Sequence, residues 1–318
     1  MKNRDMRIIS QLSEIASYKP TVFTIGFFDG VHSGHQEVIR HVSERALQQG
    51  LQAVLVTFWP HPQSVLHPEK PKPLLTTLQE KLELLAALKG LDTVVVMPFT
   101  AQLAQLTPRE YLELLRSHFQ LRALVVGADF AFGHNRAGDI PWLQQAGQEL
   151  DFTVETLALM AGENRISSTR IRELVAVGRI EEAADLLGRP YTVEGTVIQG
   201  EGLGRGLDFP TANLLLDPVK LLPADGVYAV YAQLPGDDRP WRPAVAYVGR
   251  VPSFGEENPS VVEVHLFDVQ ANLYGQQLVT EFVARLRGDR HFHSLEALQA
   301  QMRDDAEQAL VRLAPRPL

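Results

Sequence analysis

The sequence predicts an α/β half followed by an all-β half: a doubly wound parallel sheet, then a sandwich or barrel closed by a terminal helix. Three observations carry this. Across residues 21–157, short and continuously apolar runs alternate with amphipathic helical stretches, the pattern of a parallel sheet covered by helices on both faces. Beyond residue 188 the apolar runs become short and turn-separated, at 193–198, 227–231, 244–248, 261–267 and 277–282, an all-β pattern. Glycine use shifts at the same place: residues 1–187 hold 11 of the 23 glycines, and the shorter remainder holds the other 12. Gly188-Arg189-Pro190 stops the helix before it, so two domains are expected, 1–187 and 188–318.

The elements follow in order. Residues 21–28 read as a buried strand, broken at Asp29-Gly30, a turn pair. The next helix sets Val38, Ile39, Val42 and Ala46 on one face and stops at Gly50. A strand over 53–58 runs into Trp59-Pro60-His61-Pro62, a loop whose two prolines exclude both helix and central strand. A three-proline loop at 67–73, a helix over 78–89 and a strand over 93–97 come next. Thr107-Pro108-Arg109-Glu110 is a helix start, with Thr as cap, Pro at the first position and Glu three residues on. Strands at 124–126 and 152–157 complete the sheet. Residues 180–187 form a short helix. The final helix starts at Ser294, with Leu295, Leu298, Met302, Ala306 and Leu310 on one stripe.

Composition excludes several classes. The 318 residues are 45% hydrophobic and 21% charged, ordinary for a globular protein. A net charge of −8 argues against a nucleic-acid binder that works through a basic surface. With no cysteine, disulfides, thiolate metal sites and cysteine nucleophiles are excluded. The charged N-terminus is too polar for a signal peptide, and no run approaches the roughly 18 apolar residues of a membrane span. A cytoplasmic protein is expected.

The chemistry concentrates at His32-Ser33-Gly34-His35, between the first strand and its helix. The first amides of a helix lack intrahelical partners, and the dipole favours an anion there. Gly34 lets backbone approach a ligand, and two imidazoles beside it can donate to a phosphate. A surface role for the histidines is the bland alternative. A metal site has too few ligands, with Asp29 the one nearby carboxylate. The loop 127–139 holds Asp129, Phe130 and Phe132 among three glycines, either a plain surface loop or one whose aromatics stack on a planar ring. Arg165-Ile-Ser-Ser-Thr-Arg-Ile-Arg172 dresses a helix start with hydroxyls and guanidiniums, which suits a polyphosphate. Alternate glycines from Gly200 to Gly206, including Gly202 and Gly204, offer backbone to a phosphate or merely flexibility. Glu263, in an alternating apolar/polar run, reads as the solvent-facing residue of an amphipathic strand.

Phe28-Asp-Gly-Val-His-Ser-Gly-His35 resembles the HxGH nucleotidylyltransferases and, among them, the prokaryotic bifunctional FAD synthetases, riboflavin kinase and FMN adenylyltransferase on one chain. Ser-Ser-Thr-x-x-Arg, with Ser168, Thr169 and Arg172, resembles their second phosphate signature; Gly127-x-Asp-Phe-x-Phe-Gly resembles their flavin and nucleotide loop; Pro210-Thr211-Ala212-Asn213 resembles the riboflavin kinase signature. The resemblance implies a nucleotidylyltransferase domain and a Greek-key-like antiparallel β-barrel. It implies His32 and His35 as catalytic, with Gly26, Asp29, Gly34, Arg165, Ser168, Thr169, Arg172, Gly202 and Gly204 at ATP and phosphate. Asp129, Phe130 and Phe132 would meet flavin. Thr211 and Asn213 would hold the Mg²⁺ of ATP, and Glu263 would take the proton from riboflavin's 5′-hydroxyl. Riboflavin, FMN and ATP would be the small-molecule partners, with FMN and FAD as products. The chain departs from the family pattern at Phe27 (usually Asn), Asp208 (usually Gly) and Tyr247 (usually Asn). Those departures keep two alternatives in view: a flavin-binding regulator, or an adenylyltransferase with an impaired kinase half. A third alternative, the same fold acting on another phosphate acceptor, is opposed by the Pro-Thr-Ala-Asn domain.

Overall fold

The computed structural model describes residues 6–14, 19–157, 166–199, 209, 211–233, 241–249, 261–267 and 272–313. The chain divides into two compact units, Met1–Ser167 and Ser168–Leu318. Gly188, where composition changes, lies inside the second unit, because the helix that ends there packs on barrel strands.

In the first unit six strands run parallel: β1 (Arg7–Ile9), β2 (Pro20–Ile25), β3 (Gln52–Trp59), β4 (Thr93–Pro98), β5 (Gln120–Gly127) and β6 (Thr153–Leu157). Their order is β1-β4-β3-β2-β5-β6. Between them lie α1 (Ser33–Gln49), α2 (Pro62–Leu66), α3 (Leu78–Ala87), α4 (Ala101–Gln105), α5 (Pro108–Arg116) and α6 (Ile140–Leu150). Successive strand residues enter opposite cores. Phe23, Val54, Val56, Val95, Leu124 and Val126 pack with Tyr111, Leu112 and Leu115 of α5 and Leu143 of α6. Val22, Leu55, Val94, Ala123 and Val125 pack with Val38, Ile39 and Val42 of α1 and Leu85 of α3. A strand buried on both faces cannot alternate polar and apolar, which is why the runs are continuous. The chain winds from β2 through β3 to β4, then returns to the other side of β2 for β5. That reversal puts a topological switch point beside β2, where such sheets bind ligands beyond their carboxyl ends.

Three local features depart from the sequence expectation. β1 escapes notice because two of its three residues are exposed, and it exists as a parallel partner of β4. The stretch after Trp59 is helical from Pro62: proline sits in the first turn, where its missing N–H costs nothing, and His61 caps the helix through Nδ1, accepting Gln63 N–H at 3.0 Å. α4 follows, capped by Thr100. The capping box at Thr107 and Glu110 forms as its sequence predicts.

The second unit opens with α7 (Ser168–Ala176) and α8 (Ile180–Leu187). Then come β7 (Tyr191–Ile198), β8 (Ala212–Leu216), β9 (Gly226–Gln233), β10 (Arg242–Gly249), β11 (Val261–Leu266), β12 (Gln277–Gly288) and α9 (Leu295–Arg312). The strands close an antiparallel barrel in the order β10-β11-β8-β7-β12-β9. β8 pairs with β11 rather than β9, the skip that makes the connectivity Greek-key-like. β9 is buried on both sides. Tyr228 meets Phe282 edge-on at 5.3 Å, while Ala229 and Tyr231 pack with Ala284, Ala309 and Leu313.

The terminal helix corrects its expected stripe. Leu295 and Leu310 are more than half exposed, and the buried positions are Asp305 and Ala309. Asp305 decides the rotation: Arg287 of β12 donates Nε and Nη2 to it at 2.9 and 2.8 Å. Leu298, Met302 and Ala306 of the expected stripe are half-buried beside these two positions. No described helix is long and apolar enough to cross a membrane. Asp305→Ala leaves a largely buried guanidinium unpaired. It is expected to cost about 3 kcal/mol, read as a lower midpoint in urea unfolding.

Candidate active sites

The first site is a turn that its own backbone cannot hold. After Ile25 the chain passes through Gly26 and Phe27 into three left-handed residues, Phe28 (φ 54°), Gly30 (φ 79°) and Val31 (φ 39°). Two of these carry side chains, and such conformations persist only where surroundings enforce them. Asp29, 1% exposed, supplies the enforcement. Its Oδ2 accepts the Leu75 N–H and its Oδ1 the Thr76 N–H, both at 3.0 Å, and the Thr76 hydroxyl donates to Oδ1 at 3.1 Å. Thr76 Oγ1 in turn accepts the Gly30 N–H. On the β3 side, Gly26 N–H donates to the Val56 carbonyl, and the Phe27 carbonyl accepts the Thr57 hydroxyl at 2.9 Å.

That turn delivers His32 to the start of α1. His32 is buried, and its Nδ1 accepts the His35 N–H at 3.2 Å, capping the helix. With Nδ1 an acceptor, Nε2 carries the proton of the neutral ring. The His35 ring stacks on it, centroids 3.5 Å apart and 14° from parallel, and Phe28 meets His35 edge-on at 5.0 Å. Gly34 is buried within the first turn of the helix. The sequence thus brings Gly26, Asp29, His32, Gly34 and His35 together, at the helix N-terminus beside the switch point. Such an arrangement can bind phosphate oxygens and stabilise charge that develops on them.

One residue of this site escapes a motif search. Lys81 of α3 is fully buried. Its ammonium donates to the Phe27 carbonyl at 3.0 Å and approaches Thr57 Oγ1 at 3.4 Å, with the Phe27 ring centroid 3.9 Å away. Burial lowers its pKa to about 8, against the pull of the Asp29 carboxylate. The available signal was a lysine on the apolar face of its helix, between Leu78 and Leu85.

The loop after β5 is organised more than its glycines suggest. Phe132 and Gly138 bridge as an antiparallel pair, and a Cβ at Gly138 would come within 2.5 Å of the Phe132 ring. Phe130 stacks on Phe132 at 5.6 Å, and Phe132 also meets Tyr111 and Trp142. Asp129 is exposed, and Arg136 donates to its carbonyl at 3.1 Å.

The second unit holds the other predicted residues. Ser168 opens α7, with Thr169 exposed beside it and Arg172 one turn on. In the barrel, Asn213 of β8 is the register partner of Glu263 of β11, and Glu263 is the partner of Tyr247 of β10. Direct partners in antiparallel strands share a face with Cβ atoms about 5 Å apart. Asn213, Glu263 and Tyr247 therefore form one row across three strands, and Thr211 stands at the head of β8. The alternate residues, Ala212, Leu214, Val262, Val264, Ala246 and Val248, fill the core. Tyr247, the departure from the family's asparagine, is pushed up to about 12, by burial first and then by the carboxylates of Asp289, Asp225 and Glu263. It stays a neutral phenol, and its hydroxyl occupies the space a Cβ at Gly249 would need. Arg165, Gly202, Gly204 and Asp208 lie outside the described residues. Among the described residues no group of three His, Cys, Asp or Glu side chains could hold a metal. Thr211 and Asn213 offer neutral hard oxygens, the kind Mg²⁺ accepts when substrate phosphates complete its shell.

Comparison with known proteins agrees with both halves. The FAD synthetase family matches residues 14–170 and the riboflavin kinase family residues 187–313. A bifunctional riboflavin kinase/FMN adenylyltransferase of Escherichia coli strain K12 is 37% identical over 94% of this chain and 95% of its own length. Those of Pseudomonas fluorescens and Bacillus subtilis strain 168 are 35% and 33% identical, over 94% and 91% of this chain and 94% and 92% of theirs. A crystal structure of a macrolide-efflux protein from Streptococcus pneumoniae matches at TM-score 0.85 and 29% identity, covering 96% of this chain and 99% of that one. The chain belongs to the family of bifunctional riboflavin kinase/FMN adenylyltransferases.

Proposed function

We propose that this chain makes FAD in two ATP-dependent steps: riboflavin is phosphorylated to FMN at the barrel, and FMN is adenylylated at the signature turn of the parallel sheet. The observation that carries the second step is the His32–His35 stack at the N-terminus of α1, at the switch point of the sheet. ATP and flavin are cytoplasmic metabolites, which supports a cytoplasmic site of action.

In the kinase step Glu263 accepts the proton of riboflavin's 5′-hydroxyl as that oxygen attacks the γ-phosphorus of ATP. The β–γ bridging P–O bond breaks and ADP leaves with the electron pair. Thr211 and Asn213 are the residues that would hold Mg²⁺, which would supply positive charge to offset that developing on the phosphates. Tyr247, neutral beside Glu263, adds a donor and no competing base. In the adenylyl step an FMN phosphate oxygen attacks the α-phosphorus of a second ATP. The α–β bridging bond breaks and pyrophosphate leaves. No covalent enzyme intermediate is needed. His32, through Nε2–H, and His35 stabilise the charge that develops on the α-phosphoryl oxygens. Gly26 and Gly34 let backbone approach the phosphates.

Ser168, Thr169 and Arg172, on the first turns of α7, are assigned to phosphate oxygens, and the resemblance gives Arg165, Gly202 and Gly204 the same role. Asp129 and Phe130 are assigned to flavin, with Phe132 backing the Phe130 ring. Asp29 acts on phosphate through the turn: with both oxygens engaged by Leu75 and Thr76, its part is to hold His32 and Gly34 in place.

Chromatography of the flavins formed from riboflavin, ATP and Mg²⁺ tests the assignment. FMN is expected first and FAD later. His32→Ala is expected to stop at FMN, and Glu263→Ala to leave riboflavin untouched while still converting supplied FMN to FAD. Loss of both activities in both folded variants would overturn the division of labour. An inert wild-type chain that binds FMN tightly would favour a flavin-binding regulator. Asp29→Ala releases the turn and is expected to lower FMN-to-FAD kcat/KM on the order of 100-fold, the effect of about 1 Å of misplacement, while riboflavin phosphorylation measured on the same preparation stays within twofold of wild type.

A further inference from the structure

We infer that Lys81 is a positioning residue for adenylyl transfer: it holds the Phe27 carbonyl and cancels the Asp29 charge, so that the clamped turn still accepts phosphates. The inference rests on the assignment of that turn to the FMN-to-FAD step.

The turn carries two conflicting requirements. Its left-handed residues need Asp29, whose carboxylate takes three donors from Leu75 and Thr76. Yet Asp29 stands three residues before His32, and a buried anion there repels the phosphates of ATP and FMN with little water to screen it. A cation placed behind the turn resolves the conflict. Lys81 reaches in from α3, fully buried, and donates to the Phe27 carbonyl at 3.0 Å. Asp29 is the charged group of the turn that acts on it, holding its proton against the effect of burial. From β3 it meets the hydroxyl of Thr57 and the ring of Trp59, and from the turn the ring of Phe27, none of which titrates in the physiological range. His61 lies against the Phe27 ring, and Glu80 of α3 is engaged with Thr77 in the helix cap. Packing alone does not explain a lysine here, because an apolar chain of the same length fills the space without burying a charge. A buried, perturbed ionisable group touching a candidate site is a functional candidate on physical grounds.

The experiment compares Lys81→Met with wild type in the full chain, measuring FMN-to-FAD and riboflavin-to-FMN conversion on the same preparation. We expect FMN-to-FAD kcat/KM to fall at least tenfold, with KM for ATP and FMN raised, and kinase activity within twofold of wild type. The double variant Asp29→Asn/Lys81→Met is expected to regain part of the lost KM, since no uncompensated carboxylate remains; losses that simply add would overturn charge compensation. FAD formation within twofold of wild type in Lys81→Met would overturn the inference outright. Circular dichroism establishes that the variant is folded. Should it not fold, the wild-type pH profile decides. Above pH 7.5 the substrate phosphates are already ionised, so loss of the Lys81 proton is expected to lower FAD formation at least tenfold between pH 7.5 and 9.5, with no parallel fall in FMN formation. A flat profile overturns the inference. His32→Ala runs alongside: if it still makes FAD, the assignment of the turn has failed, whereas its loss with an intact Lys81→Met indicts Lys81 alone.

Discussion

The carboxylate of Asp29 is the fastening on which the first unit's chemistry depends. A strand that is buried on both faces ends without slack, and the chain must reverse within a few residues to start α1. It does so through Phe28, Gly30 and Val31 in left-handed conformations that cost energy where a Cβ is present. Nothing inside a turn of this kind can compensate that cost. Asp29 therefore reaches out of the turn to the backbone at Leu75 and Thr76, and Thr76 reaches back to Gly30. The position of His32, and with it the histidine stack, is set by contacts made some 40 residues further along the chain.

The barrel solves the same problem differently. Asn213, Glu263 and Tyr247 are aligned by strand register, not by a tied loop. A one-residue slip would send all three into the core and bring Ala212, Val262 and Val264 out, which the burial of those residues forbids. Register is enforced along whole strands, so the row needs no buried ionic clamp of its own. The two sites are held by different physics, and they respond to different injuries: the turn to loss of one carboxylate, the row to disruption of barrel packing.

This contrast also explains what the sequence could show. The sheet was legible because its strands are continuously apolar and its helices amphipathic, and the candidate phosphate turn was legible because His32, Gly34 and His35 fall within four residues. Glu263 and Asn213 are singled out by motif, but their pairing belongs to the strand register. Lys81 and Thr76 were missed because their roles consist in long-range contacts to Phe27 and Asp29, which no spacing encodes. The terminal helix keeps Leu298, Met302 and Ala306 of its stripe half-buried, while the Arg287–Asp305 ion pair, which no spacing encodes, sets Asp305 beside them and leaves Leu295 and Leu310 outside. Pro62 opens a helix rather than breaking one because it stands in the first turn, a position its residue type alone does not reveal.

The departures from the family pattern look different once these contacts are known. At position 27 the turn uses the backbone: the carbonyl is taken by Thr57 and Lys81, and the side chain only has to lie beside the ammonium. An aromatic ring does so favourably, because the face of its π-system attracts the cation at 3.9 Å. Replacement of asparagine by Phe27 thus keeps the tie and adds cover to a buried charge. At position 247 the new phenol stands beside the proposed base. Its pKa is pushed up, away from neutrality, by burial and by neighbouring carboxylates, so it cannot compete for riboflavin's proton. The two changes share one feature: the first leaves the backbone tie of the turn in place, and the second brings in a side chain that its surroundings keep neutral.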